Sequence, residues 1–144
     1  MIKREDIIGY NKDNSLRGIV LENMLKFISE RAGFSIVRLP DEKANKIADD
    51  SCLDSESEEI LKIMIGGNAA ELKKYLPVYG KVIKPLYLFL EQEILLYAQI
   101  KNLKFSRKKK KENKLKSFID NSEEKHPEVK RAIVNSLLEL YKYF

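Results

Sequence analysis

The chain has 144 residues, 44% of them apolar, and carries 27 Lys or Arg against 22 Asp or Glu for a net charge of +5. That length buries one core of ordinary size. A single Cys and a single His exclude a disulfide framework and a structural zinc site, so the small secreted and metal-stapled classes drop out and an intracellular, cytoplasmic protein is expected.

The N-terminal stretch MIKREDIIGYNKDN lacks an apolar run of signal-peptide length, and residues 1–13 read as a frayed terminus. Ser15 then caps a helix running LRGIVLENMLKFISERAG, with Leu16, Ile19, Val20, Met24, Phe27 and Ile28 at helical spacing and Gly33 as its stop. FSIVRLP, residues 34–40, is the one β-like run. With no second strand to pair with, it reads as an extended connector that buries Phe34, Ile36 and Leu39. Pro40, Asp41 and Glu42 suit the first turn of a short helix reaching Asp49. After the loop DDSCLD, Ser55 with Glu58 and Asn68 with Glu71 form capping-box patterns ahead of two further helices, the first ended by Gly66 and Gly67.

The stretch from Leu86 to Phe105 dominates the second half of the chain. Eleven of the fifteen residues from Leu86 to Ile100 are apolar, and at helical spacing they cover every side, the mark of a helix enclosed by its neighbours. Glu91, Gln92 and Glu93 interrupt it. In a bilayer the two glutamates would cost about 2.5 to 3.5 kcal/mol each near mid-span, which argues against a membrane helix. From Pro127 onward, Val129, Ile133, Leu137, Leu140 and Phe144 form one amphipathic stripe. The expected fold is all-α: one domain over residues 1–144, a helical bundle of five to seven helices around a central helix at 86–105, with an antiparallel C-terminal helix at 127–144.

Charge is segregated along the chain. Residues 101–116 hold nine Lys or Arg and one acid, whereas residues 41–59 hold eight acids and two Lys. If the central helix continues, Lys101, Lys104, Lys108 and Lys111 lie on one side and Arg107, Lys110 and Lys114 on a neighbouring ridge. Such a stripe matches the regular charge of a phosphate backbone. Lysines at a helix end also favour the dipole and solubility, but the unbroken run Arg107, Lys108, Lys109, Lys110, Lys111 exceeds what either needs. Lys101, Lys104, Arg107 to Lys111 and Lys114 are therefore expected to bind nucleic acid, DNA or RNA, through its backbone. Phe105, at the junction, is placed to stack on a base, while Tyr97 and Phe118 have core spacing.

Catalytic signals are weak. Asp49, Asp50, Asp54, Glu56, Glu58 and Glu59 adjoin in sequence and sit where a helix N-terminus favours acids, unlike carboxylates converging on two metals. His126 precedes Pro127 at a capping or solvent position, no serine lies in a nucleophile elbow, and Cys52 has an acidic context that disfavours a thiolate. The glycine pairs lack the spacing of a phosphate loop. A non-enzymatic protein is expected, with no catalytic residue, cofactor, metal, membrane contact or small-molecule substrate. The acidic and basic segments complement each other between copies, which with the apolar helix predicts a homo-oligomer or a protein partner in a complex.

In size, helicity and a Lys/Arg-bearing central helix, the chain resembles the helical small subunits of CRISPR effector complexes and, more faintly, the helical domain of archaeal GINS replication subunits. No residue-by-residue motif accompanies the likeness, so it carries over no site. It implies a sequence-independent nucleic-acid-binding small helical subunit of a larger nucleoprotein assembly. The alternative is an interaction or scaffold subunit whose basic segment docks on an acidic partner.

Overall fold

Five short strands replace the expected all-helical core. The computed structural model describes residues 2–107 and 113–142. Its strands are β1 (Ile7–Tyr10), β2 (Ser35–Arg38), β3 (Lys46–Ala48), β4 (Val78–Tyr79) and β5 (Val82–Ile83), in the sheet order β2-β1-β3-β5-β4. β1 pairs in parallel with β2 and β3, β3 in parallel with β5, and β4 closes the edge antiparallel to β5. Five helices accompany the sheet: α1 (Leu16–Ala32), α2 (Leu53–Gly66), α3 (Glu91–Ile100), α4 (Lys114–Lys125) and α5 (Val129–Leu140), with a 3₁₀ segment at Ala69–Tyr75. The class is α/β, and the expectation of an all-α bundle is corrected.

β1 lies in the stretch read as a frayed terminus. Ile8 is fully buried, and the strand is anchored by Asp6, whose carboxylate accepts from the Lys3 amide at 2.7 Å, Lys46 Nζ at 2.6 Å and Asn45 Nδ2 at 3.0 Å. The hydrogen bond from Lys46 holds the Asp6 carboxyl down at about 2. Gly9 is required by packing, because a Cβ there would stand 2.5 Å from Leu39 Cδ2 and 3.0 Å from Ala44 Cβ. With β1 in place, FSIVRLP has its partner: Ile8 registers with Ile36 and Gly9 with Val37. The helix expected from Asp41 to Asp49 is also corrected, since β3 occupies its second half.

α1 follows the sequence closely. The Ser15 side chain accepts from the Gly18 amide at 3.3 Å, and Gly33 ends the helix in the left-handed region at φ 82°.

The central helix does not. It spans only Glu91–Ile100. Leu86 to Leu90 precede it as non-helical chain, with Leu86, Tyr87 and Leu90 buried. Glu91, Gln92 and Glu93 are its first turn, where acids face the positive end of the dipole. The Glu93 carboxylate accepts from the Leu90 amide at 3.0 Å and Asp54 Oδ1 from the Glu91 amide at 2.8 Å. Leu88, Leu96 and Ile100 remain exposed, so the enclosure expected of an all-round apolar helix is not met. The C-terminal helix is α5, which packs mainly on α2 and α4 and meets α3 through the Arg131–Glu93 ion pair at 2.9 Å.

Two apolar clusters result. One joins Ile8 and Tyr10 of β1 to Val20, Leu21 and Leu25 of α1 and Ile94 and Ala98 of α3. The other sets Leu53 and Ile60 of α2 against Val134, Leu137 and Leu138 of α5, with Tyr87 and Leu90 between. No helix among the described residues is long and apolar enough to cross a membrane.

Candidate active site

In an open parallel sheet, ligands bind beyond the carboxyl ends of the strands, where consecutive connections leave in opposite directions. Here that switch point is between β1 and β3. The chain leaves β1 for β2 on one side and enters β3 on the other. Two loops therefore face each other there, Asn11 to Ser15 after β1 and Asp49 to Cys52 after β3.

Both loops are held by their own side chains. Asp13 Oδ1 accepts from the Ser15 amide at 2.9 Å, and Asp49 Oδ1 accepts from the Ser51 amide and hydroxyl, each at 3.1 Å. A crevice of about 700 Å³ opens beside them. Asp13, Arg17 and Asp50 form its near wall, Glu91 and Gln92 belong to α3, and Asp54, Asp120, Glu123 and Lys130 form the far wall. A smaller cleft of about 350 Å³, lined by Asn11, Asp13, Asp49 and Asp50, adjoins the strand ends.

The charges of the near wall are coupled. Burial pushes the Asp50 carboxyl up, and Asp49 and Asp13 push the same way, with Arg17 opposing them. Burial works against the Arg17 cation, but Cys52 and Asp50 keep it above the ordinary arginine range. Arg17 Nη1 stands 3.8 Å from Cys52 Sγ. On the far wall, Lys130 is 6% exposed. Its Nζ meets Asp54 Oδ2 at 2.7 Å, Asp120 Oδ1 at 3.2 Å and Glu123 Oε1 at 3.5 Å. Burial disfavours that charge, yet the Asp54 hydrogen bond and its neighbours raise the ammonium well above the ordinary lysine range. Lys130 is thus a permanent cation that ties α2, α4 and α5 together.

The basic residues singled out in the sequence do not form one helical stripe. α3 ends at Ile100 and Asn102 turns the chain at φ 53°. Lys101 and Lys104 are exposed beyond that end, Arg107 lines the crevice, and Lys114 opens α4. Lys108, Lys109, Lys110 and Lys111 lie outside the described residues. A distant contact brings this segment to the site: the Ser106 amide donates to Asn14 O at 2.7 Å, and Ser15 bridges Ser106 in parallel. Phe105, Ser106 and Arg107 therefore form the lip of the crevice.

Phe118, expected in the core, is exposed, and the Tyr97 hydroxyl donates to Asn23 Oδ1 at 2.7 Å. His126 is the solvent-facing C-cap of α4. Asp50 and Asp54, set aside in the sequence as helix-terminal acids, are now seen at the crevice, and Arg17 carried no sign of a role beyond a helix surface. The signal available was the β-strand, charged loop, Ser-capped helix order of residues 7–17, visible only once Ile7–Tyr10 is recognised as a strand.

No family model matches the chain. It is 30% identical, over 162 aligned positions and 99% of its own length, to a probable sulfurtransferase of Methanocaldococcus jannaschii, and covers 47% of that protein. The chain thus spans about half the length of the curated relative it matches. Its fold is similar to that of the U34-tRNA thiolase NcsA from Methanococcus maripaludis, solved with its [4Fe-4S] cluster, at a TM-score of 0.72 and 18% identity over 99% of this chain and 74% of that one. These likenesses overturn the expected non-enzymatic, CRISPR-effector-like or replication-complex-like helical subunit, and with it the scaffold alternative, because both similar proteins are enzymes by name. The residues here do not fit a cluster of that kind. Iron–sulfur clusters are held mainly by several cysteine thiolates, and this chain has one cysteine.

Proposed function

We propose that this chain belongs to the catalytic part of an RNA sulfurtransferase, one that exchanges a uridine carbonyl oxygen of a tRNA for sulfur in the crevice beyond β1 and β3. The observation that carries this reading is the Ser106 to Asn14 hydrogen bond at 2.7 Å. It joins a strongly basic segment to the rim of a ligand-sized crevice at the sheet's switch point. The phosphate backbone is bound by Lys101, Lys104, Arg107, Lys108, Lys109, Lys110, Lys111 and Lys114, and Phe105 stacks at the lip. Arg17, beside the N-terminus of α1, receives an anionic group of the co-substrate. Asp50, with its carboxyl raised by burial, is the crevice carboxyl best suited to carry a proton. The sulfur donor is a small molecule, contrary to the expectation that none is used.

Incubation of the protein with unmodified tRNA, a sulfur source and a nucleoside triphosphate, followed by mass spectrometry of the nucleosides, is expected to show a thiolated uridine. Arg17→Leu is expected to lower the rate by about 10²-fold or more while leaving tRNA binding intact. A tRNA returned unmodified under all sulfur sources overturns the reading.

A further inference from the structure

The chain carries one cysteine, and its placement bears on how sulfur reaches the crevice. Cys52 is 1% exposed and caps the N-terminus of α2. Its amide donates to Ser55 Oγ at 3.0 Å, and Sγ lies 3.8 Å from both Ser55 Oγ and Arg17 Nη1. It lines neither the crevice nor the smaller cleft. A thiol so enclosed cannot join a cysteine of a second chain across an interface. Among the described residues no group of three or more His, Cys, Asp or Glu is placed to hold a metal. His126 stands exposed at the end of α4, remote in sequence from Cys52.

We infer that this chain transfers sulfur without an iron–sulfur cluster of its own and accepts it at the oxidation level of sulfide, as hydrosulfide, rather than from a persulfide. The inference rests on the proposed sulfur transfer and is drawn from electron balance. Exchanging C=O for C=S with hydrosulfide is a substitution. A carbon–sulfur bond forms, a carbon–oxygen bond breaks, the hydrosulfide proton passes to solvent, and neither carbon nor sulfur changes oxidation state. The oxygen departs on the phosphoryl or nucleotidyl group it received from the nucleoside triphosphate. A persulfide donor instead delivers its outer sulfur with two electrons missing. Those electrons come from a second thiol, which attacks the sulfur–sulfur bond and ends in a disulfide. With one cysteine, and that one buried, this chain holds no such pair. Hydrosulfide is also small enough to enter the crevice with the base already in place.

The test uses the full chain, handled anaerobically and incubated with ferrous iron and sulfide, then desalted. It is expected to retain no iron and to show no visible charge-transfer absorption. With sodium sulfide as the source, tRNA thiolation by Cys52→Ala and Cys52→Ser is expected to stay within about twofold of the parent protein. With cysteine persulfide and no added reductant, no thiolation is expected. Retention of roughly four irons per chain overturns the inference. So does loss of sulfide-supported thiolation in both Cys52 variants while their circular dichroism and tRNA binding are unchanged, or thiolation from persulfide alone. A tRNA that is bound but unmodified with either source removes the sulfur-transfer reading and this inference with it.

Discussion

Replacing Lys84 with Met is expected to lower the unfolding free energy by about 3 to 5 kcal/mol, because it strands a buried carboxylate. Lys84 Nζ and Glu56 Oε1 meet at 3.0 Å with both side chains 4% exposed. The ammonium also donates to Lys74 O at 2.8 Å and lies over the rings of Tyr75 and Tyr87. Glu56 has less support, for its Oε2 is buried without a hydrogen-bond partner among the described residues. Burial accordingly pushes the Glu56 carboxyl up despite Lys84. The pH dependence is set by that direction. A carboxyl raised in the folded state binds its proton more tightly there than when unfolded, so its ionisation destabilises the fold. The penalty is absent below the unfolded value, grows as pH rises toward the folded value, and is complete above it. Lys84→Met raises Glu56 further, so its loss of stability is expected to be largest at neutral pH and relieved by acid. Glu56→Leu combined with Lys84→Met is expected to recover most of the loss, since an apolar pair of similar volume avoids both desolvation costs. Urea titrations of the parent, the single and the double variant at neutral and mildly acidic pH measure this. A Lys84→Met protein as stable as the parent at neutral pH would show that the pair contributes nothing.

The second large effect concerns the basic segment. Changing Arg107, Lys108, Lys109, Lys110 and Lys111 to Ser removes about five phosphate contacts, worth a log–log salt slope of about −3.5 on single strands and −4.5 on duplex. Those five contacts account for a weakening of roughly 10² to 10³ in tRNA binding between 50 and 200 mM salt, and the variant, left with Lys101, Lys104 and Lys114, is expected to keep only the shallower dependence of about three contacts. On the proposed reading these residues hold the backbone and not the reacting base, so the variant is expected to need far more tRNA for half-maximal thiolation, with its rate at saturating tRNA little changed. A variant that keeps the parent's slope would place the contacts elsewhere. One that keeps tRNA affinity but loses the saturating rate would move the segment from backbone binding to the chemistry itself.

How much of this was legible depended on the length of each element. α1 is seventeen residues long, has a Ser cap and a Gly stop, and read correctly at both ends. β1, β2 and β3 have three or four residues each. Alternation over so few positions is barely distinguishable from a loop, and parallel partners lie far apart in sequence, so no hairpin turn announces them. IIGY was lost for that reason, and losing it left FSIVRLP without a partner and the whole sheet unseen. The run from Leu86 to Ile100 misled in the opposite way. Its apolar residues come from two pieces, a non-helical stretch buried at Leu86, Tyr87 and Leu90 and a helix that begins at Glu91, and their sum imitates a helix wrapped on all sides. The polar triplet Glu91 to Glu93 was the visible sign of a helix start. At the site, the basic segment stood out by charge alone. The crevice did not, because its walls come from loops and helices that meet only in three dimensions, and isolated acids before a helix have an adequate local explanation.

The contact between Asn14 and Ser106, together with Lys130 reaching Asp54, Asp120 and Glu123, also sets a timetable. The crevice takes Asp13 and Arg17 from residues synthesised early, and Asp120, Glu123 and Lys130 from residues synthesised more than a hundred positions after them. A nascent chain can pair β1, β2 and β3 once residue 48 has left the ribosome, but it has no enclosed pocket until α5 is out. The growing polypeptide thus holds the strands of its switch point before the crevice beside them is complete, and the last of the lining arrives only with α4 and α5.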